Sequence, residues 1–161
     1  MTGKREVLYE EAIEELGRFG ISGAQVYLID LIPLIEMIWA DGKAQDAEVS
    51  ILSDYLKKHV KHINSMAGYE ALSLDAAKAF VAKFLEKRPD PKLLATLRSF
   101  IAPVRLAASN PDKRERLKAS LLAACLDIAS SSVTDYPYEL HDRFNPEEKN
   151  CFFEILESLS S

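Results

Sequence analysis

Several kinds of chemistry are missing from this chain. Its six glycines are scattered and form no Gly-rich loop, so no backbone cradle for phosphate is visible. No Gly-x-Ser-x-Gly elbow presents a nucleophilic serine. Only two cysteines occur, Cys125 and Cys151, with no CxxC pair and no disulfide framework. Each lies in an apolar helical run, where a thiol behaves as a small hydrophobe. Neither has the electropositive neighbours that would lower its pKa. This usage fits a reducing compartment. The N-terminus, Met1 to Glu6, enters a charged amphipathic stretch without a signal-peptide core. Val26 to Trp39 is the most apolar run; it carries Asp30, Pro33 and Glu36 and is too short, at 14 residues, to span a bilayer. The expectation is a cytoplasmic protein with no membrane insertion.

Positive charge is also in short supply. Twenty Lys and Arg face 25 Asp and Glu, for a formal net charge of -5. Such a balance gives no general attraction for nucleic acid or anionic lipid. The densest basic stretch, Lys113 to Lys118, is interrupted by Glu115 and reads as one solvated helix face. Nucleic acid is therefore not an expected partner.

What remains is an ordinary globular composition, 48% hydrophobic and 28% charged over 161 residues. Helical periodicity dominates and no stretch alternates at period two. The pattern predicts an all-α bundle of about seven to eight helices in one domain, residues 1–161. Leu8, Ala12, Leu16 and Phe19 form one stripe, and Gly20 stops that helix. Gly23 to Ala40 reads as the most enclosed helix, kinked at Pro33. A third helix runs from about Asp46 to His59, and Ser73 caps a fourth that ends near Glu86 and turns Ala77, Phe80, Val81 and Phe84 inward. Asp90-Pro91, Asn110-Pro111 and Asn145-Pro146 repeat one start signal, a cap residue followed by proline. The long irregular segment is Ser131 to Phe144.

Two segments echo each other at an offset of 100. Glu48, Asp54 and Leu56 match Glu148, Glu154 and Leu156, and apolar residues coincide between. Gln45 and Asn145 each stand three residues before the leading Glu, and Asn145 with Glu148 has capping-box spacing. An apolar helix precedes each copy, so the bundle reads as two similar helical halves.

The most distinctive segment is Glu36-Met37-Ile38-Trp39-Ala40-Asp41-Gly42-Lys43-Ala44-Gln45-Asp46-Ala47-Glu48. A structural turn accounts for it, since Gly42 can end a helix and Asp46 and Glu48 suit the start of the next. Carboxylates at Glu36, Asp41 and Glu48 beside outward carbonyls would equally suit a hard cation. The alternating acids of an EF-hand are missing. An apolar helix running into Ala-Asp-Gly, a short loop and a leading Glu resembles the tellurite-resistance TerB-like family, here over Leu34 to Glu48. The resemblance implies an all-helical protein of two similar halves, associated with tellurite resistance and stress responses. It also implies an acidic surface that binds a divalent cation, Ca²⁺, Mg²⁺ or Zn²⁺, through Asp41 and Glu48 with Glu36 added. The second half keeps Glu148 and offers Asp127, but Ser130-Ser131-Ser132 replaces Ala-Asp-Gly.

Weaker candidates are His59 with His62, whose spacing suits Zn²⁺ but which read better as an exposed pair, and His141 with Asp142. Trp39 and Met37 read as core. A non-enzymatic role is expected ahead of catalysis, and an enzyme using carboxylates on a bound metal is a third option. The alternative to a cation-binding TerB-like protein is an interaction scaffold using Tyr136, Pro137 and Tyr138, and a homodimer or another protein partner stays open.

Overall fold

A computed structural model describes residues 2–40, 44, 46–106, 110–131 and 146–160. These residues form seven α-helices, and no strand occurs among them. The order is α1 (Thr2–Arg18), a 3₁₀ segment (Gly23–Leu31), α2 (Ile32–Trp39), α3 (Asp46–Ala67), α4 (Leu74–Leu85), α5 (Pro91–Ser99), a π segment (Ala102–Leu106), α6 (Pro111–Ser131) and α7 (Pro146–Ser160).

Local sequence chemistry sets most of the boundaries. Gly20 stops α1 at φ +79. Around it, Ile21 N–H reaches the Leu16 carbonyl at 2.9 Å and Gly20 N–H the Gly17 carbonyl at 3.0 Å. Those two bonds make a Schellman ending, which a left-handed glycine permits. Ser73 accepts from the Ala76 amide, Asp90 from the Lys92 amide and Asn110 from the Lys113 amide. Each satisfies an otherwise orphaned donor in the first turn of its helix. Gly68, at φ +80, follows the last residue of α3.

The segment expected as one kinked helix is two pieces. Gly23–Leu31 winds as 3₁₀, and α2 begins at Ile32 with Pro33 in its first turn. An α-helix through Pro33 would press its ring on the Ile29 carbonyl, which would also lose its donor. The Ile32 amide takes that carbonyl instead, in a tighter 3₁₀ bond. Proline thus starts α2 rather than bending it. The third helix is longer than its expected end at His59 and continues to Ala67.

One apolar cluster runs through all of these elements. Its centre is α2 with the end of the 3₁₀ segment, where Leu28, Ile29, Leu31, Ile32, Leu34, Ile35 and Ile38 are completely buried. α2 packs against α3, α5, α6 and α7, and α3 packs against α4 and α6. The two helix pairs matched at offset 100, α2 with α3 and α6 with α7, exchange partners. α2 lies on α6, α3 covers α6, and α7 covers α2. Phe19, expected on the buried stripe of α1, is 44% exposed, because the Gly20 turn ends the helical phase there. Met37 is buried, and Trp39 is partly buried with its indole N–H donating to the Phe84 carbonyl at 2.8 Å.

No single helix among the described residues is long and apolar enough to cross a membrane. If α2 is the keystone, Ile38→Ala should cost about 2–5 kcal/mol of unfolding free energy by urea denaturation. Phe153→Ser, on the 62% exposed Phe153, should change it by less than about 0.5 kcal/mol.

Candidate functional site

Two carboxylates sit on the most apolar part of the chain, and each is met by an arginine from far downstream. Asp30 closes on Arg105 of the π segment, whose Nε donates to both carboxylate oxygens at 3.0 and 3.1 Å. The side chain of Asp30 is completely buried. His59 Nε2 lies 3.5 Å from the same carboxylate and 2.9 Å from the Tyr27 carbonyl. A carbonyl only accepts, so Nε2 carries the proton. Tyr55 stacks on His59 with ring centroids 5.8 Å apart, and the Arg105 guanidinium lies 4.6 Å above the Tyr27 ring. Burial pushes the Asp30 carboxyl up, while Arg105 and then His59 pull it back.

The second pair is Glu36 on α2 with Arg98 on α5, at 2.9 Å. Their side chains are only 10% and 11% exposed. Glu36 Oε1 and Arg98 Nε have no hydrogen-bond partner among the described residues. Burial raises the Glu36 carboxyl from 4.5 to about 7, Arg98 opposes this, and Glu154 of α7 adds to it. Cys151, on α7, is pushed up to about 12, by burial and then by Glu36. Cys125 on α6 is also raised well above the usual thiol range by burial. Neither thiol is a ready thiolate near neutral pH, so the pair offers no activated nucleophile.

The other acidic residues singled out in the sequence fall in different settings. Glu48 and Glu148 are each the third residue of their helix, α3 and α7, and both are buried, at 0% and 1% exposure. Their neighbours Asp46 and Glu147 are exposed. The first turn of a helix favours a carboxylate, so this is where one can be buried at least cost. Asp127 is exposed on α6. Asp41, His141 and Asp142 lie outside the described residues, as does the segment 132–144. Arg98 and Glu154 both act on the Glu36 carboxyl, in opposite directions. Among the described residues, no group of three or more His, Cys, Asp or Glu is arranged to hold a metal ion. Arg98 already occupies one oxygen of Glu36, so a cation reaching that carboxylate would have to displace the guanidinium.

The expected exposed histidine pair is split. His59 is buried at 7% exposure, and His62 points to solvent. The helix does persist through both, but three residues of rotation carry His62 past the edge of the buried stripe. Sequence reasoning missed Arg98 and Arg105, whose partners stand 62 and 75 residues away. The one available signal was the presence of Asp30 and Glu36 inside an apolar run, since buried charges are paired.

No protein-family model matches this chain, and neither does any curated protein or solved structure.

The Glu36 setting gives a signed pH dependence. Its folded pKa is raised, so its contribution to stability is fully present below pH 4.5 and is lost as pH rises through about 7. The shift corresponds to about 3 kcal/mol. Urea denaturation across that window should show stability falling with pH, and Glu36→Gln should remove a fall of about that size. An unchanged profile in the variant would contradict this account of Glu36.

Proposed function

We propose that this chain is a TerB-like helical protein that serves tellurite resistance or a related stress response by binding rather than by catalysis. The observation that supports this best is the matched burial of Glu48 and Glu148, 100 residues apart and each third in its helix. They open the second helices of two pairs that pack on each other, as the resemblance to that family implies for its two halves. The acidic segment then joins a buried helix, α2, to a helix whose first turn carries Asp46 and Glu48.

On this reading, a divalent cation meets the loop through Asp41 and Glu48, and Glu36 contributes only by giving up Arg98. The orphaned Oε1 of Glu36 is the atom that supports its inclusion. Cation binding would then require the Glu36 proton to leave, which makes affinity fall as pH drops below about 7.

A second reading, an interaction scaffold without metal, draws on exposed apolar side chains. Phe153 on α7 is 62% exposed and Leu126 on α6 is 37% exposed. Scattered exposed hydrophobes are ordinary, so they support a partner surface only if they act together.

Calorimetric titration with Ca²⁺, Mg²⁺ and Zn²⁺ separates the two. The TerB-like cation reading expects weak, saturable binding that Asp41→Ala removes. It also expects Arg98→Gln to strengthen binding only well above pH 7, where Glu36 loses its proton without Arg98 and no guanidinium competes with the cation. No heat at millimolar metal in either wild type or Arg98→Gln would leave the scaffold reading. That reading in turn expects concentration-dependent association in sedimentation, reduced by Phe153→Ser.

A further inference from the structure

A groove separate from the acidic residues opens where the end of α1 and the 3₁₀ segment meet α4 and α5. Its volume is about 290 Å³. Phe80, Phe84, Leu97 and Ile21 form its apolar walls, and Phe19 stands at its edge. Phe80 and Phe84 are one turn apart on α4 with ring centroids 5.3 Å apart, giving a continuous aromatic wall. Ala76 and Ala79, on the same helix, leave the space that larger side chains would fill.

Two of the side chains lining the groove are polar, Lys83 and Gln25. Among the described residues that line the groove, Lys83, itself exposed, is the charged one, Gln25 adds an amide, and none is acidic. This is notable in a chain with five more acids than bases. Lys83 makes no ion pair with another described residue. Small-molecule sites are mostly apolar with a few converging polar groups, and about 300 Å³ is the lower end of their range. The groove is too small for a helix and suits a compact ligand. A lysine is a point charge, without the fork that an arginine offers a phosphate. One lysine and one amide therefore match a single carboxylate better than a dianion.

We propose that this groove binds a small amphipathic carboxylate, with its apolar tail against Phe80, Phe84 and Leu97 and its carboxylate at the Lys83 ammonium. The groove carries its own reporter. Trp39 is the only tryptophan of the chain and donates to the Phe84 carbonyl, so a ligand against Phe84 perturbs its emission.

The test is a titration of the full chain with octanoate, followed by Trp39 fluorescence, with 1-octanol as the uncharged control. Octanoate should give a saturable change and bind more tightly than octanol. Lys83→Met should weaken octanoate about tenfold and leave octanol unchanged. Ala79→Phe, at an exposed position, should fill the groove and abolish both. Absence of a saturable change at millimolar octanoate would overturn the proposal. So would equal affinity for the two ligands, or octanoate binding that survives both substitutions. A response that tracks protein concentration and is lost in Phe19→Ser would instead assign the groove to a second copy of the chain.

Discussion

The constraint on which this structure depends is the burial of two carboxylates in its most apolar stretch. The 3₁₀ segment and α2 supply the centre of the core, and Asp30 and Glu36 enter it with them. An uncompensated buried carboxylate would be intolerable, so the chain must return arginines to both positions. Arg98 at the end of α5 and Arg105 in the π segment do so. The run from α5 to the π segment is thereby tied at two points, to α2 through Glu36 and to the 3₁₀ segment through Asp30. The π winding at Ala102–Leu106 includes Pro103 and places Arg105 across both Asp30 and the Tyr27 ring. Apolar packing stabilises the assembly, and the two ion pairs restrict how the segments can be arranged.

Much of this was readable from local sequence, because local sequence holds the cause. Ser73, Asp90 and Asn110 cap helices through bonds to amides within three residues. Gly20 ends a helix because its own backbone can turn left-handed. Other features had no local cause. The splitting of Gly23 to Ala40 depended on whether Pro33 would kink a helix or begin one, and the Ile29 carbonyl decided it. The burial of His59 depended on the Tyr27 carbonyl and on Asp30, 29 residues away. Asp30 and Glu36 were visible as oddities in an apolar run, but their partners could come only from the folded chain.

The candidate site divides in the same way. Glu36, Glu48 and Glu148 stand out in sequence as acids near helix ends, and the structure buries Glu48 and Glu148 and leaves Glu36 partly buried. Their environments differ, however. Glu36 is held by a guanidinium, whereas Glu48 and Glu148 occupy helix first turns, where the backbone itself favours negative charge. Buried acids at matching positions in the two halves are what the TerB-like proposal draws on. The groove beside Lys83 lies on other elements and asks for a ligand of opposite sign, so the two proposals stand or fall separately.

The Asp30–Arg105 pair acts as one unit. A double-mutant cycle of Asp30→Asn and Arg105→Gln, measured by urea denaturation, tests it most directly. The expected coupling is about 1–3 kcal/mol, with each single variant costing nearly as much as the double. Additivity of the two substitutions within about 0.5 kcal/mol would contradict it.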